Sequence, residues 1–211
     1  MIPVPEYLKA IAKNVKVKRE WTSFTLACRC GCQTFMPYMN YFTAEEKKLL
    51  EPYYDSLHNA LSGCWATTCT VDEDGTLHHW KMFTPAGLNG PKEEVFFAEE
   101  PFFAKVAVLK IVCQECGAEY LVFDSRCHGY DAVTGDHTEE EMRYQPHFKP
   151  KCTHEVGIEI KVENDPSLEA FQENSGLMFT EKQYSSAFSW VKVYAVKQDG
   201  KKRVILDCET A

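Results

Sequence analysis

Three cysteines fall within five positions in the segment CRCGC, residues 28–32, and two more sit in CQECG, residues 113–117. No other feature restricts the fold as strongly. Thiols this close in sequence serve as cross-links, redox centres or metal ligands, and each use demands its own backbone geometry. The N-terminus, MIPVPEYLKAIAKNVKVKRE, lacks an apolar stretch behind a basic start and so does not read as a secretory leader. Nor does any stretch approach the ~18 uncharged apolar residues of a membrane span. The expectation is a soluble, cytoplasmic protein with no membrane partner. In a reducing compartment ten cysteines would not persist as disulfides, and close spacing then points to metal or redox use.

Both clusters lie between strand-like runs. WTSFTLAC leads into the first and QTFMPYMNYF leaves it. AKVAVLKIVC leads into the second and AEYLVFD leaves it. A thioredoxin-type C-x-x-C wants a helix after the first cysteine, so two flanking strands disfavour redox chemistry. Structural zinc takes four N or S ligands at ~2.0–2.3 Å. Two tight turns, each showing two sulfurs on one side and followed by a glycine that aims backbone amides at them, supply such a set. Cys113, Cys116 and Gly117 fit as C-x-x-C-G, and Cys28, Cys30 and Gly31 fit as C-x-C-G.

On these residues the chain resembles the zinc-ribbon class, in which two cysteine knuckles at hairpin tips share one zinc ion. The resemblance covers the knuckles and their flanking strands only. It implies that Cys28, Cys30, Cys113 and Cys116 are the ligands of one structural zinc. Two departures stand against the class pattern. Cys30 and Cys113 are 83 positions apart, and Cys32 crowds the first knuckle, so Cys30 with Cys32 is an alternative pair. Cys64, Cys69 and Cys208 sit at isolated or strand-like positions and read as small hydrophobes in packing.

The rest of the chain reads as α+β: antiparallel hairpins bearing the two-knuckle site, with helices inserted between them. A single domain over residues 1–211 is expected, with possible sub-parts at 1–124 and 125–211. Apolar spacing predicts a short helix from Pro5 to Val15. Thr43 with Glu46 forms a capping-box pattern that opens a helix, ended or kinked by Pro52. CWATTCTV and TLHHWKMF flank an Asp74-Gly75 turn as a hairpin. Residues 125–151 carry loop signals. HEVGIEIKV reads as a strand, and DPSLEAFQENSG as a helix capped by Asp165 with Pro166 in its first turn. A further helical stretch, TEKQYSSAF, precedes a terminal hairpin of WVKVYAV and RVILDC.

A second group of reactive residues follows the second knuckle: Asp124, Cys127, His128, Asp131, Asp136 and His137. They could serve a metal-assisted hydrolase, or one of Cys127 and His128 could complete the zinc site. Cys152 and His154, in C-x-H spacing, form a weaker second metal candidate. His78 and His79 alternate across a strand and so face opposite ways. No P-loop, dinucleotide fingerprint or nucleophile elbow is present. The formal charge of −8 argues against a nucleic-acid partner, which needs clustered Lys and Arg. The small cluster Lys13, Lys16, Lys18 and Arg19 does not outweigh it. The favoured reading is a zinc-binding protein-interaction or regulatory module that is not an enzyme. The segment EEVFFAEEPFF, where Phe96, Phe97, Phe102 and Phe103 are interleaved with carboxylates, supports a partner surface, with core packing of at least half of these phenylalanines as the alternative.

Overall fold

A computed structural model describes residues 4–50, 63–71, 77–85, 96–99, 106–135, 137–162, 167–176, 178–196 and 201–210. In chain order the strands and helices are β1 (Ala12–Lys18), β2 (Trp21–Leu26), β3 (Thr34–Tyr41), α1 (44–50), β4 (Gly63–Val71), β5 (Leu77–Pro85), β6 (Phe96–Glu99), β7 (Val108–Cys113) and β8 (Glu119–Asp124). They continue as α2 (Tyr130–Thr134), α3 (Glu139–Arg143), β9 (His147–Pro150), β10 (His154–Lys161), α4 (Leu168–Ser175), α5 (Glu181–Tyr184), β11 (Trp190–Val196) and β12 (Lys202–Glu209). The fold is mixed α+β, and among the described residues every strand pair is antiparallel.

The chain divides into two compact units, Met1–Tyr41 with Lys105–Ala211, and Phe42–Ala104. In the first, strands run in the order β1-β2-β10-β3-β7-β8, with β11 and β12 continuing from β10 and β9 beside β3. Strands from before and after residue 124 thus share one sheet. Period-2 alternation builds its core. In β2, Thr22, Phe24 and Leu26 point inward, and in β10 Val156, Ile158 and Ile160 do the same. β7 keeps both Val108 and Leu109 buried because a register shift against β8 lies beside them. Gly157 has a specific purpose in β10. A Cβ there would lie 2.2 Å from Cε2 of Tyr194, whose ring covers the strand.

The second unit contains the antiparallel sheet β4-β5-β6 and α1. The expected capping box is present: the Thr43 amide donates to Glu46 at 2.6 Å, and the Glu46 amide to Thr43 Oγ1 at 3.2 Å. The expected β4–β5 hairpin pairs from Gly63↔Pro85 to Val71↔Leu77. Pro52, the Asp74-Gly75 turn, Phe102 and Phe103 lie outside the described residues, as do the side chains of His78, His79, Cys64, Cys69, Phe96 and Phe97.

Several expectations need correction. The N-terminal helix is a single 3-10 turn, Glu6–Leu8, after which the chain becomes β1. Leu8 and Ile11 are buried as their spacing implied, but Val15 is half exposed. The edge of β2 offers a ladder of backbone partners that a short isolated helix, marginal in water, does not match. The lysines of β1 therefore lie on an exposed edge strand, a placement that discourages edge-to-edge pairing. Residues 125–151 hold α2, α3 and β9 rather than loop alone. The cap of α4 is Ser167, whose hydroxyl accepts the Ala170 amide at 3.2 Å, not Asp165. Asp165 and Pro166 themselves lie outside the described residues.

Candidate metal centre

The two cysteine segments reach the same place by different backbone routes. The second is a true hairpin tip. β7 and β8 pair up to Val112↔Glu119, the Cys113 amide donates to the Ala118 carbonyl at 2.9 Å, and the Gly117 amide donates to Cys113 O at 3.0 Å. Gly117 closes the turn at φ +71°, where glycine is favoured.

The first segment is not at a hairpin tip, contrary to the sequence expectation. β2 and β3 do not pair with each other. Both run antiparallel to β10 along one of its edges, β2 against Gly157–Lys161 and β3 against His154 and Glu155. Residues between them form a closed excursion from an interrupted line. The Cys28 amide donates to the Cys32 carbonyl at 2.7 Å, and the Gly31 amide to Cys28 O at 2.9 Å, with Gly31 at φ +98°. The alternating pattern of the flanking strands is the same for a hairpin and for this arrangement, so sequence did not separate them.

The β3–β7 register joins the two turns. Phe35 stands opposite Cys113, and the Gln114 amide donates to Thr34 O at 3.2 Å. At the other end of this pair, the Asn40 side chain donates to Val106 O at 2.7 Å and accepts the Val108 amide at 2.9 Å. That clamp holds β3 and β7 together where the chain leaves for residues 42–104 and returns. The 83-position gap between Cys30 and Cys113 is thus an insertion between two neighbouring strands.

The result is a cluster of four sulfurs, from Cys28, Cys30, Cys113 and Cys116, all within 4.8 Å of one another. Cys28 Sγ lies 3.4 Å from Cys116 Sγ, and Cys30 Sγ 3.6 Å from Cys113 Sγ. A tetrahedron with Zn–S bonds of ~2.3 Å has edges of roughly 3.8 Å, so small adjustments accommodate a metal ion. A tetrahedral set of four thiolates suits zinc or iron. Cys32 stands outside this set of four, beside Cys113 and bonded chiefly to Thr34. Its sulfur lies 3.2 Å from Thr34 Oγ1 and accepts the Thr34 amide at 3.4 Å.

The surroundings are those of a negatively charged site. Tyr120, on β8, places its hydroxyl 3.1 Å from Cys28 Sγ. With the Cys30 amide it lowers the Cys28 thiol to about 6. The other three sulfurs also accept backbone amides: Cys30 from Cys32, Cys113 from Cys116 and Glu115, and Cys116 from Ala118. Burial and the neighbouring sulfurs nevertheless hold these three thiols above their ordinary value. Four adjacent sulfurs do not all ionise without compensation, and a divalent cation supplies it.

The residues after the second knuckle are committed to structure. Asp124 is gripped by the Arg126 guanidinium, through Nε at 2.9 Å and Nη2 at 2.8 Å. His128 is buried, stacked on the Tyr7 ring at 4.0 Å, and its Nδ1 accepts the Asp124 amide at 3.0 Å. Desolvation pushes it down to about 4, so it is neutral at ordinary pH. His137 Nε2 bonds the Ser125 carbonyl at 2.7 Å, and Nδ1 lies 3.3 Å from Glu141. The Cys127 thiol, pushed up to about 11 by desolvation and then by Asp124, is a poor ligand donor near neutral pH. Asp136 lies outside the described residues. Cys152 is exposed ahead of β10, and Cys208 is half-buried in β12 against the core. Among the described residues, only the four-cysteine group gathers three or more metal-ligating side chains.

No family model, curated protein or solved structure matches this chain. Among the described residues no helix is long and apolar enough to cross a membrane.

Proposed function

We propose that the four cysteines hold one structural zinc ion, and that the zinc-stapled chain is an intracellular protein-interaction module. The observation that carries the metal assignment is the convergence of four sulfurs from two turns 83 positions apart. The zinc-ribbon comparison rests on β3, β7 and β8, an antiparallel trio with both cysteine turns at one end. On this view residues 42–104 are an insertion into the connection between two ribbon strands.

Charge supports the interaction role. Residues 42–104 contain eleven acidic and four basic residues, a net −7 of the chain's −8, which leaves −1 for the other unit. The segment EEVFFAEEPFF, including β6, belongs to this acidic unit. A sequence this rich in carboxylates and phenylalanines suits a basic protein partner, because complementary charge steers association and aromatic anchors hold it.

Elemental analysis of protein purified without a His-tag or added metal tests the first half; one zinc and no iron per chain is the expected result. For the second half, the full chain should capture a protein partner in a salt-sensitive way. Changing Glu93, Glu94, Glu99 and Glu100 together to Gln should abolish capture while zinc stays bound. Undiminished capture by that variant would overturn the assignment of the surface.

A further inference from the structure

The four sulfurs divide in a way that a purely structural staple does not require. Each turn contributes one buried cysteine, Cys28 or Cys113, and one exposed cysteine, Cys30 or Cys116. The close contacts cross between turns, and each joins an exposed sulfur to a buried one: Cys116 to Cys28 at 3.4 Å, and Cys30 to Cys113 at 3.6 Å. Such pairing is that of an attacking thiol and a resolving thiol, set out twice around one centre.

We propose that the centre is a peroxide-sensitive site. Oxidation expels the metal and replaces it with two disulfides between the turns, Cys28–Cys116 and Cys30–Cys113. This rests on the zinc reading above and adds a chemical response to it. The Cys116 thiolate attacks a peroxide oxygen, the O–O bond breaks, and the sulfur becomes a sulfenic acid as hydroxide departs. The Cys28 thiolate then attacks the sulfenic sulfur, forming the S–S bond and expelling a second hydroxide. Cys30 and Cys113 repeat the sequence. Two hydrogen peroxide molecules are reduced, four thiolates are oxidised, and the zinc ion leaves unchanged in oxidation state because its ligands are consumed.

The topology explains why the cross-turn pairs are preferred. A bond between Cys28 and Cys30 would close a very small ring across Arg29, strained against ordinary disulfide geometry. Once that pairing is excluded, a Cys113–Cys116 bond would leave Cys28 and Cys30 without partners in the cluster. The two cross-turn bonds consume all four sulfurs. They keep the first turn tied to the β7–β8 hairpin, so the oxidised protein remains folded there while losing its metal. An exposed sulfur held beside a potential resolving thiol is the arrangement that favours reversible over irreversible oxidation.

The test is peroxide titration of the zinc-loaded full chain. Released zinc is followed with a chromophoric chelator, and disulfides are mapped by non-reducing peptide mass spectrometry. The expected result is one zinc released per two peroxides consumed, with peptides linked 28–116 and 30–113. Dithiothreitol and fresh zinc should then restore the starting form. A Cys113–Cys116 link, sulfinic acid on Cys30 or Cys116 without disulfide, or retention of zinc in excess peroxide would each overturn the proposal. The same map on reduced, metal-free protein keeps the two ideas apart. If the purified chain holds no zinc, the structural-zinc reading fails, while the cross-turn links still stand or fall on that map.

Discussion

The two cysteine turns differ in almost everything except what they present. One is a hairpin tip whose ends are paired to each other. The other is an excursion whose ends both rest on a third strand, β10. One uses C-x-x-C, the other C-x-C. Yet each shows one buried and one exposed sulfur to the same point, with backbone amides directed at both. The lesson is that a ligand pair depends on the local turn and its amide donors, while the long-range support beneath the turn is free to vary. The hairpin carries its own support. The excursion borrows its support from β10 and β3, so its position depends on the register of strands far away in sequence.

The largest effect should come from removing the self-supported pair. With Cys113 and Cys116 both changed to Ser, zinc should fall to none per chain, and the cooperative thermal transition should be lost or the protein should aggregate. Structural zinc supplies on the order of 10 kcal/mol in small zinc-dependent domains, comparable to the whole stability of a domain. Loss of metal with an unchanged melting curve would deny the staple role.

Next in size is a pH effect that separates the knuckles from the loop following them. His128 has its folded-state pKa lowered to about 4 from 6.5. The unfolded chain therefore binds a proton that the folded chain does not. Its contribution is fully present above pH 6.5 and is lost as pH falls towards 4, amounting to roughly 3 kcal/mol. Urea unfolding of the zinc-loaded chain between pH 7 and pH 4 should show this slope, on top of the loss of zinc that the wild type and a histidine variant share. A His128→Phe variant should lose that part of it, and an unchanged profile would show that the histidine is not buried neutral.

A smaller effect should distinguish the borrowed support from the intrinsic one. Gly157→Ala puts a methyl group 2.2 Å from Tyr194 Cε2 in β10. Overpacking of this kind costs about 1–3 kcal/mol. Because β10 carries β2 and the start of β3, proteolysis or hydrogen exchange should report loosening at residues 27–33 before residues 113–118. Equal loosening of both turns would remove the distinction.

The finest comparison sets Gly31→Ala against Gly117→Ala. Among the described residues nothing lies within 4 Å of a Cβ at either site, so only backbone strain is added. Alanine tolerates φ +71° at Gly117 near the left-handed region at a cost of about 1 kcal/mol, but fits less well at φ +98° at Gly31. The Gly31 variant should thus be the less stable of the two by chemical denaturation. The reverse order would contradict the geometry of the excursion.

Much of this architecture was legible. Alternating apolar residues marked β2, β3, β7, β8, β10, β11 and β12, and Thr43 with Glu46 marked the start of α1, because these signals act over a few residues. The short helix expected at Pro5–Val15 failed because Leu8 and Ile11 are buried with helical spacing for tertiary reasons, while Val15 and Val17 join a strand. The cluster from Asp124 to His137 looked reactive because its residue types suit catalysis. Its use in an Arg126 grip and a Tyr7 stack depends on partners that no local pattern reveals. The net charge is unevenly divided along the chain. Nearly all of it belongs to residues 42–104, a boundary visible only once β3 and β7 are seen to be neighbours.

The sequence by itself determined the residues of both cysteine turns, the glycine that closes each, and the strands beside them, since each depends on backbone preferences within a handful of positions. Tertiary structure alone decided that Cys28 and Cys30 face the second pair while Cys32 turns to Thr34. It also decided that the first turn is an excursion rather than a hairpin. Both outcomes follow from the pairing of β10 and β7 with β3, a choice made by burial of a shared core across distant parts of the chain.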